Sequence, residues 1–311
     1  MELLWLFVKI CVEIFLILWG ADRFTDGACA MARKWGISEL IIGLTVVSMG
    51  TSLPEFVVSF FSSLSGSADM SVGNVVGSNI FNALVIVGAS CMVLSIKVER
   101  STLLRELPVC MLATLGLLTC GWLGAISRWN ALLLFLIFIF FIGYNVRIAR
   151  KEKIIVREKT ETMSNPKMFM YVLLGMLCLS GGGKFLVDDA TQVARIFGVS
   201  EAIIGLTILA GGTSLPELAT SVVAARKGSS GLALGNVIGS NIFNITFVLG
   251  LCGMISPMKI QQLVLTDWLA LVLSLVVLWA FAATRRTLQR WEGVVLLLLY
   301  TLYLSIMFYS I

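Results

Sequence analysis

The sequence predicts an all-α integral membrane protein with ten transmembrane helices in two inverted five-helix repeats. Three observations predict it. Of 311 residues, 58% are hydrophobic and only 13% are charged. A soluble domain carries about a quarter charged residues, so this chain cannot cover itself with polar surface. Many apolar stretches reach the roughly 20 residues a helix needs to cross a bilayer, whereas a membrane β-barrel shows short alternating segments. Finally, a long stretch of the chain occurs twice.

Taken in order, the apolar spans run over residues 3–32, 37–64, 70–95, 102–123, 129–147, 168–194, 199–225, 231–255, 262–283 and 290–309. The first lacks a basic flank and a cleavage site, so it reads as a retained span rather than a signal peptide. The first and sixth are long, with polar residues in their second halves (Asp22, Arg23, Asp26; Lys184, Asp188, Asp189). They read as tilted helices with one end leaving the bilayer. The hydrophilic run from Arg150 to Lys159 separates two halves, 1–147 and 168–311, and makes 148–167 a basic linker.

Basic residues set the sides. With the N-terminus outside, the connections on the inner side hold most of the Lys and Arg, including Arg33, Lys34, Lys97, Arg100, Arg150, Lys151, Arg226, Lys227 and Arg285. The outer connections hold only Arg128, Arg195 and Lys259. The positive-inside rule then places both termini outside and the linker in the cytoplasm, as expected for a multi-pass protein of the cell inner (plasma) membrane. The net charge of +5 is thus about orientation, not nucleic acid. There is no His, which removes imidazole metal sites and the usual near-neutral proton switch. The seven Cys show no CxxC and read as small buried apolar residues.

The duplication centres on Gly50-Thr51-Ser52-Leu53-Pro54-Glu55, which recurs letter for letter as Gly212-Thr213-Ser214-Leu215-Pro216-Glu217, an offset of 212 − 50 = 162. Without a gap, residues 36–82 align with 198–244, and more than half the positions are identical. Five spans separate the copies. An odd number means they cross the membrane in opposite directions, an arrangement that puts a substrate site where repeats meet.

The chemistry of the motif follows from its residues. Pro54 has no N–H and disfavours a helical residue before it. Gly50 permits unusual backbone geometry. The helix is therefore expected to open here and free carbonyls around Ser48 and Thr51. Thr51 and Glu55 share a helix face with Ser52 beside them, and Asn74, Ser78 and Asn82 form a stripe at spacing four. The second copy supplies Thr213, Ser214, Glu217, Asn236, Ser240 and Asn244. Pooled, these donors are all oxygens with two carboxylates, a set that hard cations take, Ca²⁺ preferring six to eight. No Lys or Arg lies inside these spans, so the ionised site carries −2, which one Ca²⁺ cancels. Gly73-x3-Gly77 and Gly235-x3-Gly239 read as helix-packing glycines. Glu39 and Glu201 read as helix-start residues after Ser38 and Ser200.

The twin Gly-Thr-Ser-Leu-Pro-Glu motifs, each followed by Gly-Asn-Val-x-Gly-Ser-Asn-Ile-Phe-Asn, resemble the α-repeats of the calcium/cation antiporter superfamily, bacterial sodium/calcium exchangers in particular. The resemblance implies a Na⁺/Ca²⁺ antiporter, not an enzyme, that works by alternating access, as a monomer and without a cofactor. It makes Glu55 and Glu217 the carboxylates shared by Ca²⁺ and Na⁺. Thr51, Ser52, Thr213 and Ser214 would give further oxygens, as would the carbonyls of Ser48 and Ala210. Ser78 and Ser240 would line outer Na⁺ positions, and Asn82 and Asn244 would complete the centre. The first and sixth spans would slide across a rigid core. Some members carry Asp where this chain has Asn82 or Asn244. With both Asn, K⁺ co-transport is not expected, and three Na⁺ against a −2 site fits electrogenic exchange. The same scaffold with Glu55 and Glu217 as proton carriers is the alternative.

Overall fold

A computed structural model describes residues 2–151, 163–198 and 210–309. They form helices α1 (Glu2–Trp35), α2 (Glu39–Thr51), α3 (Leu53–Leu64), α4 (Ala68–Val93), α5 (Thr102–Trp122), α6 (Arg128–Lys151), α7 (Asn165–Ile196), the short α8 (Ala210–Gly212), α9 (Leu215–Arg226), α10 (Ser230–Ile255), α11 (Leu265–Arg285) and α12 (Arg290–Tyr309). Among the described residues, seven helices are long and apolar enough to cross a membrane, or eight with the bent pair α2–α3 as one span. Helix α1 occupies the whole of the expected first span. The start of the expected seventh span, Ser200 and Glu201 included, lies outside the described residues, as do 152–162 of the expected linker. The first helix after α1 starts as its sequence indicates, with Ser38 Oγ accepting the Ile41 N–H at 3.3 Å beside Glu39.

Two short ribbons show that the halves are inverted. Strand β1 (Ile96–Lys97) follows α4, and β2 (Ala125–Ile126) follows α5, so the two lie at opposite ends of α5. Strands β3 (Met258–Lys259) and β4 (Thr287–Leu288) bracket α11, the matching helix of the second half, in the same way. Yet β1 pairs with β4, through Ile96 to Leu288, and β2 pairs with β3, through Ile126 to Met258. Each connection thus meets the other kind of connection from its partner half. Two halves pointing the same way would have paired like with like. Asp69 agrees, since its Oδ1 accepts the Gln261 N–H at 2.7 Å and the Gln262 N–H at 3.1 Å, across two connections that the basic residues put on one side.

The packing has two parts. One apolar core joins α2 and α4 with α5, α6 and α10–α12. A second binds α1 to α7 and to the ends of α2, α9 and α10. Close approach in the first rests on glycine, because without a hydrophobic drive between helices in lipid, van der Waals fit holds them together. A Cβ on Gly235 would sit 2.7 Å from the Leu40 carbonyl, and one on Gly239 would sit 2.6 Å from Ser48 Oγ. These two glycines do what their spacing predicts. The segment that the repeat sets against Gly73 and Gly77 lies mostly outside the described residues. Helices α1 and α7, of 34 and 32 residues, lie against one another over much of their length. Gly20 meets Cys178 and the Gly175 carbonyl, and Gly27 meets Val172. At 1.5 Å per residue each is about 50 Å long, far more than the roughly 30 Å of hydrocarbon.

Candidate ion-binding site

Both copies of the six-residue motif break a helix at the same letter. The α2–α3 pair bends by 49°. Ser52 has φ −82° and ψ 12°, and Ser214 has φ −89° and ψ 8°, in the sparsely populated region between helix and strand. Pro54 and Pro216 then take the first turn of the next helix, where their missing N–H costs nothing. The backbone differs from expectation in two respects. Gly50 is itself helical, and the opening falls at Ser52. Gly50 is small because α1 and α7 come close: a Cβ would meet Phe24 at 3.3 Å and Met176 at 3.4 Å. The Ser48 carbonyl, moreover, is not free, since it accepts the Ser52 N–H at 3.0 Å. The carbonyl left without a ladder donor is that of Gly50, because Pro54 has no N–H to offer it.

Placed in the first turns of α3 and α9, Glu55 and Glu217 are both 0% exposed. Each carboxylate is met by the serine of the other repeat. Ser52 Oγ donates to Glu217 Oε1 at 2.7 Å, and Ser214 Oγ donates to Glu55 Oε1 at 2.8 Å. The second oxygen of each, Oε2, is buried without a hydrogen-bond partner. A buried charged oxygen without a partner is costly, so two such oxygens at one centre call for a cation or a proton.

Most of the other expected donors are buried as well. Ser48, Thr51, Ser78, Asn82, Ser240 and Asn244 are all buried. Ser78 Oγ, Asn82 Oδ1, Asn244 Oδ1 and Thr213 Oγ1 are likewise buried acceptors without partners. Ser240 Oγ points back at the Ser48 carbonyl at 3.5 Å. Of Ala210 only the backbone is described, at the start of α8. Asn74 and Asn236 depart from the polar stripe. They brace the broken helices by donating to the Glu55 and Glu217 backbone carbonyls, both at 3.3 Å, and to Ser59 and Ser221 Oγ, both at 2.9 Å. Asn236 Oδ1 also accepts from Thr51 Oγ1 at 3.1 Å.

Spacing missed Asn79 and Asn241. Asn82 Nδ2 donates to Asn241 Oδ1 at 3.0 Å, and Asn241 Nδ2 donates to the Asn79 carbonyl at 3.4 Å, which ties α4 to α10 beside the centre. Their signal was present as the letter-for-letter recurrence of Asn79 at position 241. A π-helical turn follows in each repeat, Asn82–Ile86 in α4 and Phe243–Val248 in α10. Such turns often mark functional sites, and here they re-aim the helix next to Asn82 and Asn244. Among the described residues, no three His, Cys, Asp or Glu are grouped so that they could hold a metal ion. Beside the two carboxylates, the buried polar side chains of these helices are neutral hydroxyls and amides.

Inverted halves that meet at two broken helices, with paired carboxylates buried between them, define a membrane transporter. The family follows from comparison with known proteins. The family model described as "Sodium/calcium exchanger protein" matches residues 5–147 and 167–309, and the chain belongs to that family of membrane cation and calcium exchangers, which are not enzymes. The chain is 36% identical over 299 residues to inner membrane protein YrbG of Escherichia coli (strain K12), covering 92% of this chain and 91% of that protein. It is 38% identical to putative antiporter CaxA of Alkalimonas amylolytica, covering 97% and 98%. It is 31% identical to sodium/calcium exchanger MaX1 of Methanosarcina acetivorans, covering 97% and 98%. Among solved structures, the sodium-calcium exchanger NCX_Mj soaked with Na⁺ and Sr²⁺ superposes with a TM-score of 0.84 at 27% identity, covering 96% of this chain and 97% of that one.

Proposed function

We propose that this protein is a secondary-active antiporter that exchanges Na⁺ for Ca²⁺ by alternating access around Glu55 and Glu217. The observation that carries this reading is the crossed pair of serine–carboxylate bonds, each leaving one buried carboxylate oxygen without a partner. Glu55 and Glu217 ligate the ion directly. Thr51, Ser52, Thr213 and Ser214 complete the shell with the Ala210 carbonyl and with the lone pair of the Ser48 carbonyl that its Ser52 bond leaves over. Ser78 and Ser240 line flanking Na⁺ positions, and Asn82 and Asn244 close the centre.

The charge explains obligatory exchange. An empty site of charge −2 resists occlusion, because closure strands two charges in low dielectric. Ca²⁺ cancels that charge. Two Na⁺ cancel it as well, and a third leaves the site at +1, after which the core closes on one side and opens on the other. Helices α1 and α7 supply the moving surface. In the cell inner membrane, with both termini outside, the protein works as a monomer.

Proteoliposome flux tests this. Ca²⁺ uptake is measured with an imposed Na⁺ gradient and, separately, with an imposed pH gradient. Uptake driven by Na⁺ at constant pH is the expected result. Uptake driven by pH alone, with Na⁺ inert, would overturn the reading in favour of a proton-coupled exchanger. Current without a counter-ion would make the protein a channel.

A further inference from the structure

A groove of about 770 Å³ runs between the start of α2 and the end of α6, away from the ion centre. Its walls are two helix faces. Ile41, Thr45 and Met49 lie four apart on α2, and Ile142, Val146 and Arg150 lie four apart on α6, so each set forms one stripe. Apart from Thr45 and Arg150 the lining is apolar. The Thr45 hydroxyl is already satisfied within its helix, donating to the Ile41 carbonyl at 2.6 Å. The groove is thus an apolar slot with one cation at its end.

That end carries more positive charge. Arg150 and Lys151 close α6, and Arg33 and Lys34 stand in the last turn of α1. All four are exposed. Among the described residues, Arg150 has no hydrogen bond or ion pair. Trp35, the last residue of α1, is exposed at the same mouth. Indole rings settle at the headgroup level of a bilayer, and the basic residues mark this side as the inner one.

In a bilayer an apolar slot takes up hydrocarbon, because a wall without partner atoms forfeits its dispersion contacts. A guanidinium without a partner takes an oxyanion, and a phosphate meets its fork with two parallel bonds. A phospholipid offers both parts in that order. A soluble anion lacks the chain. A zwitterionic lipid leaves the surrounding positive charge uncancelled, whereas basic pockets between membrane helices hold anionic headgroups. We propose that this groove binds one anionic phospholipid of the inner leaflet, with an acyl chain between α2 and α6 and the phosphate on Arg150. The chain then packs along the helix that carries Ser48 and Thr51, next to the π-helical turn Gly43–Val47.

The test is native mass spectrometry of the full chain, delipidated in detergent and titrated with phosphatidylglycerol or with phosphatidylcholine of the same chains. One phosphatidylglycerol is expected to bind at least about tenfold more tightly, the worth of a charged hydrogen bond. Arg150→Gln is expected to erase that preference and leave the weaker binding common to both lipids. Arg285→Gln, at an exposed arginine in the last turn of α11, is expected to leave the preference intact. Ala149→Phe, which puts a ring into the groove, is expected to weaken both lipids. Phosphatidylglycerol with a photoactivated chain is expected to label residues 41–49 and 142–149. This labelling and Arg150→Gln, on an exposed helix end, report even if Ala149→Phe fails to fold. Equal affinity for the two lipids, a preference that survives Arg150→Gln or falls as far with Arg285→Gln, or label confined to other helices would each overturn the proposal. So would a dimer that excludes the lipid, since a second copy would then fill the groove.

Discussion

Glu55 and Glu217 sit in matching surroundings, each on the first turn after a broken helix, each bonded by the serine of the other repeat and braced by an asparagine one helix away. The C-terminal half of α1 and the corresponding part of α7 do not match. At the first, Lys227 Nζ lies 2.7 Å from Asp22 Oδ1 and 2.6 Å from Asp26 Oδ1, which ties α1 to the end of α9. The positions related by the repeat are Ser65, Lys184 and Asp188, and Ser65 Oγ turns back to the Ser62 carbonyl of its own helix at 3.0 Å. Duplication thus kept the contacts of the two carboxylates alike, while the ion pairs at the ends of the long helices exist in one half only.

The comparison is tested most severely at the centre. Glu55→Gln or Glu217→Gln removes one partner of a buried charged pair, worth about 2–5 kcal/mol. Calorimetric Ca²⁺ binding should fall by at least about thirtyfold for either, and the double variant should lose no more. Unequal or additive losses would show that the two carboxylates do not share an ion.

The next effect is in the packing. Gly239→Ala forces a Cβ to within 2.6 Å of Ser48 Oγ and 2.8 Å of the Leu44 backbone. Overpacking of this kind costs about 1–3 kcal/mol, read as a lower thermal midpoint in detergent with Ca²⁺ absent.

Asn236→Ala and Asn74→Ala sharpen the comparison within the site. Asn236 makes one bond more, to Thr51. It should cost about 1 kcal/mol more stability than its counterpart, the worth of one hydrogen bond. Equal losses would show that the Thr51 contact contributes nothing.

The smallest expected effect is that of Lys227→Ser, which makes the two ends alike. Partly exposed ion pairs contribute about 0.2–1 kcal/mol. The inward-to-outward population, followed by distance labels on α1 and α9, should move by no more than about fivefold toward equality. A population that does not move would mean the Lys227 ion pairs favour neither state.

Much of this was legible in the chain itself. The spans at 102–123 and 290–309 fall on helices Thr102–Trp122 and Arg290–Tyr309, because apolar length alone decides what crosses a bilayer. The duplication located Glu55 and Glu217, and the odd number of intervening spans required the inversion that the ribbons display. The break was placed too early. Pro54 announced it, but Gly50 proved to be a contact residue for Phe24 and Met176, which no spacing rule shows.

Sequence by itself determined the helices and the inverted halves, since periodicity and parity are local or countable properties. Tertiary structure alone decided that Ser52 serves Glu217 and Ser214 serves Glu55, across separations of 165 and 159 residues. It also set Lys9 against Asp189, and Lys227 against Asp22 and Asp26. Helical spacing states which side chains share a face. Which faces then meet depends on how closely Gly20, Gly27, Gly235 and Gly239 let the backbones approach.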